Sequence, residues 1–156
     1  MAENYDDQTL ERDIRQLEQA IEAWAIQHDI WFDCSFTTYA KHVKAEPGDE
    51  PVVTVLCFGG DFQTAVLDLE FWELVQSHGF HYEQSWGSLH FYPDEGPRCE
   101  AFARYFRWQW ICSLVQQDFA DVDAELYGHF AARPDDLHRL DWRQYEILVS
   151  RILQTQ

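Results

Sequence analysis

The chain has 156 residues, 46% of them hydrophobic and including seven Trp and eleven Phe. That is enough apolar mass for one compact domain, or one domain and the start of another, and it excludes the disordered class. A formal net charge of −17 disfavours direct binding of phosphate backbones. No apolar run reaches the roughly eighteen residues of a membrane span, and Glu3, Asp6 and Asp7 replace the basic opening of a secretion signal. The expectation is a cytoplasmic protein with no membrane partner.

The charge is uneven. Residues 1–50 hold twelve acids and four bases, residues 51–100 hold eight acids and Arg98 alone, and residues 101–156 hold eight acids and six arginines. Only the last third is therefore placed to approach DNA. Cys34, Cys57, Cys99 and Cys112 are separated by 23, 42 and 13 positions, which is neither a zinc nor a redox spacing. Buried free thiols are expected.

In chain order, Leu10, Ile14, Leu17, Ile21 and Trp24 form one stripe of an amphipathic helix over residues 9–28, capped by Thr9 or Asp7. From Asp29 the period becomes two, with Ile30, Phe32, Cys34 and Phe36 alternating, and Thr37, Thr38 and Tyr39 prolong a predicted strand. A loop follows at Glu46–Pro51, including Pro47 and Gly48. The β-branched run Val52–Phe58 reads as a buried strand ended by Gly59 and Gly60. Residues 61–67 fit strand or helix equally. Leu69, Trp72 and Val75 mark an apolar helix face over Asp68–Ser77, with Gly79 at its C-terminal end.

Phe80 to Pro93 reads as a β-hairpin turning at Trp86-Gly87. A two-residue turn sets Glu83 opposite His90 and Tyr82 opposite Phe91, so that Phe80, Tyr82, Leu89 and Phe91 share one face and His81, Glu83, His90 and Tyr92 the other. After Pro97, an aromatic helix over residues 98–115 carries Ala101, Tyr105, Trp108 and Cys112 with Phe102, Phe106 and Trp110 beside them, a surface wide enough for burial on two sides. A shorter helix over residues 120–130 precedes Arg133-Pro134. A last one opens at Asp141 with Gln144 three residues on, a capping box. The order α-β-β-α-β-β-α-α-α predicts an α+β fold, an antiparallel sheet of about four strands with packed helices and a helical C-terminal segment.

Three constellations could carry chemistry. His81, Glu83 and His90 on one strand face could ligate a transition metal, although a solvated polar face has the same pattern. Arg98, Arg104 and Arg107 interleave with Tyr105, Phe106, Trp108 and Trp110, a mixture able to stack on bases and grip phosphate. The competing account has the aromatics in the core and the arginines paired with some of the 28 acids. Asp118, Asp121, Asp123 and Glu125 crowd a helix start, where negative charge is favourable in any case. There is no nucleophile elbow, P-loop or dinucleotide fingerprint.

The segment Leu140–Gln156, with Tyr145-Glu146, Leu148-Val149 and Ile152-Leu153, resembles the first helix of Mrr-type restriction endonuclease domains, in the PD-(D/E)xK nuclease superfamily. The resemblance covers about a tenth of the chain. It implies that residues 1–133 form an acidic accessory domain and residues 134–156 the linker and first helix of a nuclease domain. Such a domain uses an Asp and a Glu- or Gln-x-Lys element to hold Mg²⁺, and no residue here matches those roles. No catalytic residue or cofactor is thus expected in this chain. DNA would be reached through the nuclease domain. Tyr145, Leu148, Val149 and Ile152 are the expected interface, against the chain's own nuclease domain, another protein or a second copy. The alternative is a stand-alone acidic interaction module, such as an inhibitor or immunity protein.

The charge gives a first test. The chain is expected to bind duplex DNA no more tightly than about micromolar at physiological salt, weakening steeply as salt rises. Nanomolar affinity in a gel shift would make the arginine-aromatic helix a nucleic-acid platform.

Overall fold

The computed structural model describes residues 5–38, 45–46, 48–96, 98–117 and 123–154. It is an α+β fold, with elements in the expected order. The chain compacts into two units, Met1–Phe106 and Arg107–Gln156. The division expected at residue 133 concerns where a further domain would begin, which is a different question.

In the first unit, α1 spans Asp7–Gln27 and buries Leu10, Ile14, Leu17, Ile21 and Trp24. Its cap is Asp6, one residue earlier than expected, whose carboxylate accepts from the Thr9 N–H at 2.8 Å. The strand expected from Asp29 does not begin until Ser35. Asp29 and Asp33 adopt left-handed φ of 57° and 51°, which breaks the pleat, so β1 is only Ser35–Thr37. Tyr39 and Pro47 lie outside the described residues.

Strand β2, Thr54–Cys57, sits in a stretch buried from Pro51 to Leu56, and a 3₁₀ helix at Gly60–Leu67 follows. Helix α2 is Leu69–Ser77, capped by the Asp68 carboxylate. Its buried residues are Phe71 and Val75; Leu69 and Trp72, expected in the core with Val75, are exposed. The pair four apart faces inward, Leu69 falls on the far side of the helix and Trp72 on its flank.

The hairpin forms as expected. Strands β3, Phe80–Ser85, and β4, Ser88–Pro93, pair with Glu83 opposite His90 and Tyr82 opposite Phe91. The antiparallel sheet has the order β1-β2-β4-β3, so α2 lies in the crossover between the parallel neighbours-but-one β2 and β3. Leu56, Leu89, Phe91 and Phe80 join the α1 stripe, Phe62, Phe71 and Val75 in one core. Helix α3, Cys99–Gln116, adds Ala101, Phe102 and Tyr105 to it; Pro97 lies outside the described residues.

The second unit is built from the remainder of α3, α4 at Asp123–Ala132, a 3₁₀ helix at Pro134–Arg139 that was not expected, and α5 at Trp142–Gln154. Ile111, Leu114, Val115, Leu126, Phe130, Leu140 and Leu148 form its core. The wide apolar surface of α3 is thus shared lengthwise between two cores. Asp118, Ala120, Asp121 and Gln156 lie outside the described residues.

One side chain ties the first unit together. Arg98 donates to the carbonyls of His78 at 2.9 Å and Gly79 at 2.7 Å, and to Asp13 of α1 at 3.1 Å. Its guanidinium lies over the rings of Phe80 and Phe102. Gly79, at φ +79°, leaves the space: a Cβ there would stand 2.0 Å from an Arg98 nitrogen. Gly79→Ala is therefore expected to cost about 2–3 kcal/mol, by backbone strain and by displacing the guanidinium. Urea denaturation measures this, and a loss below about 0.5 kcal/mol would show that the clamp is dispensable.

Candidate functional site

The arginine-aromatic set is largely committed inside the chain. Arg98 is half-buried in the clamp just described. Arg107 pairs with Glu125 at 2.9 Å, and the same carboxylate accepts from the Trp110 indole at 3.2 Å. Trp108 lies 4.1 Å beneath the Arg139 guanidinium, and Arg104 is exposed. Three of the four thus have partners within their own unit.

The three proposed metal ligands also diverge. Glu83 and His90 are cross-strand partners, but His81 turns away, with Nε2 2.8 Å from Glu50 and Nδ1 3.4 Å from Asp94, its ring stacked on Tyr92. His90 contacts the Ser88 hydroxyl at 3.3 Å, and burial lowers its pKa against the opposing pull of Glu83. Among the described residues no three His, Cys, Asp or Glu side chains converge to hold a metal. All four cysteines are free and half-buried, less enclosed than expected.

A network that sequence reasoning missed lies in the second unit. His129 Nε2 meets Asp136 at 2.9 Å, Asp136 also accepts from Arg139 at 3.2 Å, and the imidazole packs on Trp108 and Phe130. Seven residues separate His129 from Asp136, across the Arg133-Pro134 break, so no motif spacing announces the pair. A His–carboxylate dyad can position a base, but here it joins α4 to the 3₁₀ segment.

The last helix is two-sided. Its capping box is reciprocal: the Gln144 N–H donates to the Asp141 carboxylate at 2.8 Å and the Asp141 N–H to the Gln144 side chain at 3.1 Å. Ile147 and Leu148 pack in the core of the second unit. Arg151 donates to the carbonyls of Leu114 and Val115, at 2.7 and 3.2 Å, and to the Asp123 carboxylate. The expected face is consequently divided. Leu148 is buried, Val149 half-buried, and Tyr145 and Ile152 exposed, while Ile147 is covered within this unit. Trp142 and Leu153, 77% and 66% exposed, extend Tyr145, Val149 and Ile152 into one apolar stripe, because these five positions fall within about a third of a helical turn.

No protein-family model matches the chain, and no curated protein and no solved structure is significantly similar to it.

The His129 environment predicts a pH response. Burial lowers its pKa below 6.5, outweighing the hydrogen bond to Asp136 that raises it. The folded state thus favours neutral imidazole, and the unfolded chain binds the proton more readily. The contribution is intact above the unfolded value and is lost as pH falls through the lowered folded one. His129→Gln, which keeps a donor toward Asp136, is expected to lose less stability than the parent between about pH 7.5 and 5.5 in urea titrations. Equal losses would contradict that assignment.

Proposed function

We propose that this chain is the non-catalytic N-terminal accessory region of a bacterial DNA restriction or defence endonuclease of the Mrr type, with α5 the opening helix of the nuclease domain. The observation that carries the reading is the two-sided α5. One side is anchored by Ile147, Leu148 and Arg151, and the other presents Trp142, Tyr145, Val149, Ile152 and Leu153. A helix apolar on two sides is normal where it is shared between two packed bodies. On this reading Mg²⁺ and DNA belong to the nuclease domain, and the present residues supply recognition, oligomerisation or regulation.

The same anchoring gives a second reading some support. A helix already held by Leu148 and Arg151 needs no further domain to form, so the stripe also suits a stand-alone protein that docks on a separate partner or a second copy. The coding frame discriminates between the two. The endonuclease reading expects continuation beyond codon 156 into a Gly-aromatic pair and a downstream Asp and Glu- or Gln-x-Lys; an immediate stop codon would end it.

Both readings leave the stripe uncovered in the isolated chain. Residues 1–156 are expected to self-associate at high micromolar concentration in analytical ultracentrifugation, and the triple variant Tyr145→Ser, Ile152→Ser, Leu153→Ser to remain folded and monomeric. A parent chain that stays monomeric throughout, or a variant that associates equally, would remove this stripe as the interface.

A further inference from the structure

A second apolar surface lies in the first unit, at the elbow between the 3₁₀ helix and α2. Leu67, Leu69 and Trp72 are 88%, 66% and 46% exposed within six residues of chain. Their exposure does not come from a loose loop. Phe62, Val66, Phe71 and Val75 fill the core from the inner side of the same segment. The Tyr82 hydroxyl donates to the Val66 carbonyl at 2.8 Å, the Asp68 N–H to the Ala65 carbonyl at 3.0 Å, and the Asp68 carboxylate caps α2 through the Glu70 N–H at 2.9 Å. The elbow is thus fixed before any partner arrives, which lowers the ordering cost of binding.

The Asp, Glu, Lys and Arg residues of this stretch of chain have one sign. Asp68, Glu70 and Glu73 alternate with the apolar side chains, and residues 51–97 contain seven acids with neither Lys nor Arg. Glu70 has His28 of α1 at 3.5 Å. An apolar surface centred on a Trp and rimmed by carboxylates matches the features of a helix-docking hot spot. An acidic partner, a second copy of this unit included, would meet like charge across the rim.

We infer that Leu67, Leu69 and Trp72, with Asp68, Glu70 and Glu73, form a docking site for a basic amphipathic helix of a partner protein, its apolar residues seated on Trp72 and Leu69 and its Lys or Arg residues on the carboxylate rim. This holds whether or not the endonuclease reading does, since it uses no residue of α5.

The probe is a synthetic helix of about four turns with Leu on one face and Lys on the other, followed by fluorescence anisotropy with residues 1–156. Controls are the same peptide with Glu for Lys, and with Ser for Leu. Micromolar binding is expected for the first peptide and at least about tenfold weaker binding for both controls. Leu69→Ser and Trp72→Ala should each weaken it about tenfold. Trp86→Ala, at the fully exposed hairpin tip, and Ile152→Ser, on α5, should leave it within about twofold. Thermal melts establish that the variants fold. Absence of binding, equal binding of the all-Lys Ser peptide, or affinity indifferent to Leu69 and Trp72 would each overturn the inference.

Discussion

A guanidinium taken largely out of water is costly unless its donors are satisfied. Arg98 meets that condition with Asp13, two carbonyls at the end of α2, and two aromatic faces. Through this one group the His78 and Gly79 carbonyls after α2 gain a donor, in addition to the Asp94 N–H that the Gly79 carbonyl already accepts, and α1 is tied to the start of β3 and to the entry of α3. Gly79 is the counterpart of the clamp, since a side chain there would occupy the space of the guanidinium. The second unit repeats the device. Arg151 caps the end of α3 through the Leu114 and Val115 carbonyls and pairs with Asp123.

These clamps bear on function by fixing helices whose outer faces are unusually apolar. With α2 held by Arg98 and the Phe71–Val75 side, Leu69 and Trp72 have no inward route. With α5 held by Arg151 and Leu148, the stripe from Trp142 to Leu153 faces away from the core. The two surfaces differ in electrostatic setting. Residues 1–106 carry twenty acids and six bases, residues 107–156 eight acids and five bases. On the proposed docking, a partner of the first unit would be selected by charge as well as shape, and one of the α5 stripe mainly by apolar fit.

Much of the fold was legible because its strongest signals are local. The hairpin follows from alternation on either side of Trp86-Gly87, and the α1 stripe and the α5 capping box from three- and four-residue spacing. The α2 face was misread because Leu69 and Trp72 have the same spacing logic as a core pair, and only the sheet decides which side is covered. Ile30, Phe32, Cys34 and Phe36 alternate as a strand would, but the left-handed Asp29 and Asp33 are set by tertiary context. The candidate site was least legible. Arg98 and Asp13 are 85 residues apart, and Arg151 and Asp123 are 28 apart; no periodicity connects them, so arginines that hold the fold resembled arginines available to a ligand.

Helices α2 and α5 are each anchored on one side within their unit, while Leu69 and Trp72 on the first and Trp142 and Leu153 on the second stay exposed. Hydrogen–deuterium exchange on the isolated chain tests this anchoring directly. Interior amides of residues 73–77 and 146–153 are expected to be protected to a degree comparable with those of α3, because they open only with their units. Exchange of either segment at the rate of an unstructured peptide would mean that the clamp does not hold its helix, and that the apolar residues are exposed by fraying instead of by design of the fold.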